Sequence, residues 1–138
     1  MNPLRVRWLG TVPYHEAWSL QRALHDRPGS DGEVVRGALP GADPGDHLLL
    51  LEHPHTYTLG RNAEADHVLV EPGSVGAELV EADRGGDVTY HGPGQLVAYP
   101  IVTLGAMAVR DYVCLLEGAL IDAVAAVGLS GVGRHDGY

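Results

Sequence analysis

Lysine is missing from this chain altogether: all nine of its permanently cationic side chains are arginine, against 18 carboxylates, for a formal charge of −9. So acidic a balance excludes a general nucleic-acid binder, whose footprint is a basic face. A local arginine patch still suits an acidic partner protein. Cysteine is nearly missing too, and the single Cys114 leaves no internal disulfide framework. No uninterrupted apolar run reaches membrane-spanning length. The opening Met-Asn-Pro-Leu-Arg-Val-Arg-Trp also lacks a signal-peptide core. The expected location is therefore the cytoplasm, with neither membrane nor nucleic acid as a partner.

What is present reads as one domain over residues 1–138, with 45% hydrophobic residues, enough for a sizeable core. Leu4, Val6 and Trp8 alternate with Arg5, Arg7 and Leu9, which predicts a half-buried opening strand. Pro13 then starts a helix to about Asp26, with Tyr14, Ala17, Trp18 and Leu24 on its packing side and His15 and His25 on its solvated side. Between Pro28 and Asp46, repeated Pro-Gly and Asp-Gly pairs surround a short Val34-Val35 patch, the composition of a flexible loop.

Four leucines in His47–Glu52 predict a strand covered on both faces. His53-Pro54-His55 reads as a strand-ending turn. Two histidines one residue apart can ligate a metal, but no third ligand lies near in sequence, so no metal is expected. Tyr57–Leu59 and Ala77–Ala82 read as further strands. Val109, Tyr112, Val113, Leu116, Leu120, Val124 and Val127 recur at spacings of three and four, predicting a second helix with its stripe toward a sheet, ended by Gly128.

Unusual backbone chemistry gathers in Arg84–Pro100. Gly85 and Gly86 allow a sharp turn and close approach of a ligand to the backbone, and Arg84 sets a forked cation beside them. Asp87–His91 reads as a short strand with Val88 and Tyr90 on one face and Thr89 and His91 on the other. Gly92-Pro93-Gly94 turns the chain into a second strand from Gln95 to about Val102, apolar on both faces and so expected to be buried. Pro100 requires a strand end, edge or bulge there. The two strands are expected to flank a glycine-lined pocket.

This run resembles the signature of the octanoyltransferases of lipoate biosynthesis, Arg-Gly-Gly-x-x-Thr-Tyr-His-Gly-Pro-Gly-Gln-x-x-x-Tyr-Pro, nearly residue for residue. Leu51-Glu52-His53-Pro54 and Tyr57-Thr58-Leu59-Gly60-Arg61 resemble the same family in the expected order. The resemblance implies an α/β fold, a mixed β-sheet flanked by helices, shared with the biotin and lipoate ligases. It also implies a two-step transfer of an octanoyl group from acyl carrier protein, through a cysteine thioester, to a lysine of lipoyl domains in 2-oxoacid dehydrogenases and the glycine cleavage H protein. By resemblance Arg84, Gly85, Gly86, Asp87, Val88, Thr89, Tyr90 and His91 line the acyl site, and no cofactor or metal takes part. Neighbouring apolar side chains would bury the tail at roughly 0.8 kcal/mol per methylene. For His91 a purely structural hydrogen bond is the alternative. Arg61 is either a second line of support to the site or a surface arginine paired with Glu64 or Asp66.

The family's lysine and nucleophilic cysteine come from motifs later in the chain than the second helix, and Cys114, between Val113 and Leu115, has no such motif around it. The expectation is an octanoyltransferase domain that lacks its C-terminal part, with an incomplete sheet and no activity alone. An ATP-dependent lipoate or biotin ligase and a non-catalytic acyl-binding remnant are the alternatives.

Overall fold

The structure, a computed structural model, describes residues 4–26 and 45–133. Within them the chain divides into two compact units, with the boundary between Val102 and Thr103. Most of the expected loop, residues 28–44, and its Val34-Val35 patch lie outside the described residues. The loop's last member, Asp46, opens a strand.

Among the described residues the first unit carries six strands and an α-helix: β1 (Leu4–Thr11), α1 (Tyr14–His25), β2 (Asp46–Glu52), β3 (Thr56–Leu59), β4 (Glu78–Glu81), β5 (Val88–His91) and β6 (Val97–Ile101). They form two three-stranded sheets, in the orders β1-β2-β6 and β4-β3-β5. In each, the central strand takes one parallel and one antiparallel neighbour, so both sheets are mixed. The bend at His53–His55 carries the chain from the centre of one sheet to the centre of the other. It is tightened by Thr56 Oγ1 donating to the Pro54 carbonyl at 2.9 Å.

The leucine run behaves as a central strand. His47, Leu49 and Leu51 are buried on one face of β2, while Leu48 and Leu50 remain half-buried. Ala17 of α1 and Val80 of β4 complete this small core with Ala82, and Thr56 and Thr58 bury their side chains on the inner face of β3. The expected burial of the apolar side of β1 is not found: Leu4, Val6 and Trp8 are 53, 57 and 60% exposed, while Arg5 and Leu9 are half-buried and Arg7 is exposed. Among the described residues β1 is an edge strand with β2 as its neighbour. Its irregular last turn is set by Gly10, whose φ of +70° is costly for any side chain.

The strands on either side of the Gly92–Gly94 turn belong to different sheets: β5 pairs with β3 and β6 with β2. One further expectation is corrected: the run from Gln95 is not buried on both faces, since Leu96, just before β6, is 64% exposed and Ala98 is exposed as well. An edge position accounts for this and for Pro100, which sits opposite Leu48.

In the second unit, α2 (Val109–Ala126) forms as its periodicity predicts and ends before Gly128, at φ +93°. None of its residues is buried. No helix among the described residues is long and apolar enough to cross a membrane.

Candidate functional site

The turn Arg84–Asp87 is locked to the end of β3 through its carbonyls. Gly60 N–H donates to Asp87 O at 3.2 Å, Arg61 N–H to Arg84 O at 2.9 Å and Asn62 N–H to Gly86 O at 3.1 Å. Three consecutive donors on one strand end thus fix the turn from below. Gly86 takes φ +82°, which explains glycine there. The amides of Gly85 and Gly86 donate to no protein group among the described residues, and both glycines are exposed. They are donors left over for solvent or a ligand.

Arg84 acts as a strut. Its Nη2 donates to the Thr58 carbonyl at 2.9 Å and to Thr58 Oγ1 at 2.7 Å, and its Nη1 donates to Gly85 O at 2.9 Å. The planar fork suits three acceptors in one plane better than an ammonium would. Asp87 ties a second loop to the turn. Its Oδ1 accepts from Val88 N–H at 2.8 Å and Glu64 N–H at 3.4 Å, and its Oδ2 faces His67 Nδ1. The Val88 amide, more than His67, holds the carboxyl below the usual range against the opposing effect of burial.

Arg61 pairs with neither Glu64 nor Asp66 but with Asp83, by a hydrogen-bonded ion pair that lowers the carboxyl and raises the guanidinium. The Arg61 side chain is 71% exposed. An exposed pair of this kind adds little to stability. Arg61→Ala is therefore expected to leave the thermal midpoint of unfolding unchanged, as checked by circular dichroism.

Strand β5 splits the expected site residues between its two faces. Val88 and Tyr90 align with Leu59 and Tyr57 on the outer face, whereas Thr89 and His91 align with Thr58 and Thr56 on the inner one. Along Arg84–His91, therefore, the turn is open and the strand has only its inner face toward the core.

On that inner face His91 joins an aromatic cluster. Its ring stacks on Tyr14 at 6.2 Å and meets His53 edge-on at 5.6 Å. Gln95 Nε2 donates to Tyr90 O at 3.4 Å, which turns its Oε1 toward His91 Nδ1, 2.8 Å away. His91 Nδ1 therefore donates to Gln95, which fixes the orientation of the ring.

His53 is fully buried, and its protonation state follows from its partners. Nδ1 lies 2.7 Å from the Val12 carbonyl, which only accepts, so Nδ1 donates. Nε2, 2.9 Å from Tyr99 Oη, then accepts the phenol proton. Burial holds the imidazole below its ordinary pKa, the Val12 bond opposes that, and the neighbouring His91 lowers it further. Tyr99 is pushed up to about 12, chiefly by burial and then by Tyr14, with a hydrogen bond to Gln21 acting in the opposite direction. The cluster is thus a neutral, hydrogen-bonded support behind His91.

The glycine turn that follows is anchored by Glu52, whose Oε2 accepts the Gly94 N–H at 2.9 Å. Tyr14, His53, Tyr99 and Gly60 join this site without standing out as site residues in the sequence. Their signals were present but ambiguous: Tyr14 at helical spacing reads as core, and His53 reads as a turn residue.

Residues 13–136 match the lipoyl protein ligase A/B catalytic domain. The chain is 46% identical over 136 residues to an octanoyltransferase of Chloroflexus aurantiacus, covering 95% of this chain and 56% of that protein. It is 45% identical over 138 residues to an octanoyltransferase of Mycobacterium tuberculosis, covering 99% and 53%. The fold is similar to that of protein Ta0514 from T. acidophilum, with a TM-score of 0.67 at 16% identity over 96% of this chain and 51% of that one. For its structure with bound lipoic acid the TM-score is 0.69 at 17% identity, over 96% and 52%. The chain spans about half the length of the curated relatives it matches.

Proposed function

Since this chain belongs to the lipoyl protein ligase A/B catalytic domain family, we propose that it supplies the acyl-binding face of an octanoyltransferase of protein lipoylation. The octanoyl donor is acyl carrier protein, and the acceptor is a lysine of lipoyl domains such as those of 2-oxoacid dehydrogenases and the glycine cleavage H protein. The location is cytoplasmic. One observation carries the reading: two exposed, uncommitted amides, of Gly85 and Gly86, stand at the end of a turn whose carbonyls and arginine are all engaged. Those amides donate to the acyl carbonyl oxygen. His91, its ring oriented by Gln95, presents Nε2 for a hydrogen bond with the incoming group. Thr89 and Arg84 keep the turn and strand in place.

Acyl transfer by this route needs a thiolate, which a neighbouring cation such as the family's lysine favours near neutral pH. This chain has no lysine, and its one cysteine, Cys114, lies in the middle of α2. The proposal is accordingly that residues 1–138 bind an octanoyl group and do not transfer it unaided.

Titration of the 138-residue chain with octanoyl-pantetheine, followed by amide chemical shifts, is expected to move Gly85, Gly86 and His91. His91→Ala is expected to weaken binding. Octanoylation of a lipoyl domain, followed by mass spectrometry, is expected to be absent. Failure of the ligand to bind would overturn the acyl-site reading, and substantial turnover would overturn the inactivity. ATP-dependent formation of an acyl adenylate would favour a ligase instead.

A further inference from the structure

The outer face of the β4-β3-β5 sheet carries a second concavity, separate from the His91 face. It is a solvent-open cavity of about 270 Å³ lined by His55, Tyr57, Val70, Val75, Ala77 and Tyr90. Tyr57 and Tyr90 face each other across paired strands, with ring centroids 5.2 Å apart. His55 stacks on Tyr90 at 6.1 Å, and its Nδ1 is hydrogen-bonded to the Tyr90 phenol. Opposite this aromatic wall stands the segment that follows β3, with Val70 and Val75 about half exposed, at 45 and 53%. Leu79, in register with Tyr57, extends the apolar surface along the sheet at 49% exposure.

Neither size nor charge is neutral about the occupant. The volume falls just below the range of about 300–1,000 Å³ typical of drug-sized ligand sites, and the cavity opens into an exposed apolar surface instead of closing over a ligand. That shape suits one large side chain delivered by another polypeptide, the anchor of a hot spot. Residues Asn62–Glu81, which supply the valine wall, contain no lysine or arginine and five carboxylates, of which Glu78 lies on the opposite sheet face with Thr56, 3.6 Å from His15. One of them is fixed beside that wall, because Glu71 Oε2 accepts the Ser74 N–H at 2.7 Å within the turn between Val70 and Val75. Glu81 lies on the same sheet face as Leu79 and Tyr57. An anionic rim around an apolar anchor site favours cationic flanks on the partner and repels acidic ones.

We propose that this face docks a partner protein segment in which an apolar side chain is flanked by lysine or arginine. The surface is distinct from the acyl face, because Tyr90 and His91 project from opposite sides of β5.

The probes are three hexapeptides, Lys-Lys-Phe-Leu-Lys-Lys, Glu-Glu-Phe-Leu-Glu-Glu and Lys-Lys-Ser-Ser-Lys-Lys, with phenol as a small-molecule control. Each is titrated into the isotope-labelled 138-residue chain. The first peptide is expected to bind at least about tenfold more tightly than either of the others, to lose affinity as salt rises, and to shift Tyr57, Val70, Val75, Ala77 and Tyr90. Val75→Asp is expected to abolish that binding while octanoyl-pantetheine binding at Gly85, Gly86 and His91 is unchanged. Should that variant unfold, Glu81→Lys, a surface change, is expected to weaken the same peptide.

Equal binding of the lysine and glutamate peptides would overturn the proposal. So would binding of the serine peptide as tight as the first, saturation of these signals by phenol but not by peptide, or indifference to both substitutions.

Discussion

Replacing His53 with leucine is expected to destabilise the chain by about 2–3 kcal/mol, from two partly buried groups losing this partner at roughly 1–3 kcal/mol each. Leucine fills much of the space, so the loss comes mainly from hydrogen bonding. The Val12 carbonyl would lose its His53 donor, and the Tyr99 phenol would lose its imidazole acceptor and keep Gln21. The ring contacts of His53 with Tyr14 and His91 would be lost as well.

The same residue predicts a pH dependence of definite sign. Its folded pKa lies below the ordinary 6.5, chiefly through burial, so the unfolded chain binds the proton more readily. The stability this group contributes is fully present above the unfolded value and is lost as pH falls through the folded one. Its slope cannot exceed about 1.4 kcal/mol per pH unit. Urea denaturation at a series of pH values should show that acid-side slope in the native chain and a shallower one in His53→Leu. An equal slope in both, or a variant as stable as the native chain, would remove His53 from its supporting role.

Much of this scaffold was readable because it is written locally. β2, β3, β5 and α2 carry their own periodicity and their own glycine or proline stops, and the run from Arg84 announces a turn followed by a strand. Pairing was not readable, and β5 and β6 show why. Only five residues separate His91 from Val97, yet the two strands join different sheets. What diverts β6 is distant in sequence: the Glu52 carboxylate holds Gly94 at the end of β2, and β6 then runs antiparallel to that strand. No local pattern encodes a contact between positions 52 and 94.

The site divides along the same line. The residues of the turn and strand could be named from the motif, but their jobs could not. Arg84 reads as a cation for a ligand, yet its donors go to Thr58 and Gly85. Asp87 holds the loop that carries Glu64 and His67. Tyr90 belongs to the outer face. The imidazole behind His91 comes from position 53, and its burial depends on α1 bringing Tyr14 across it. Each of these assignments rests on which elements pack together, which the alternation of polar and apolar residues leaves open.

Gly60→Ala is the sharpest test of how the turn is held. Its backbone has no positive φ, so alanine meets no conformational penalty there. In other surroundings the change would even favour folding slightly, by about 0.4–1 kcal/mol through the unfolded chain. The obstacle is space: a Cβ at position 60 would collide with the Gly86 carbonyl and lie 2.8 Å from that of Gly85 and 2.9 Å from Arg84 Nη1. A guanidinium can swing aside, but two backbone oxygens move only if the turn moves. The expected result is a loss of about 1–3 kcal/mol, the usual cost of overpacking, read from denaturant midpoints. Octanoyl-pantetheine binding should fall with it, because displacing Gly85 and Gly86 misaims their amides. Gly85→Ala supplies the contrast: its Cβ would meet nothing within 4 Å and its φ is not positive. That variant should keep native stability while reducing acyl binding, since the added methyl enters the space a ligand would use. If Gly60→Ala were as stable as the native chain, the turn would not be pinned by β3. If Gly85→Ala bound the octanoyl compound unchanged, the exposed amides would not be where the acyl group sits.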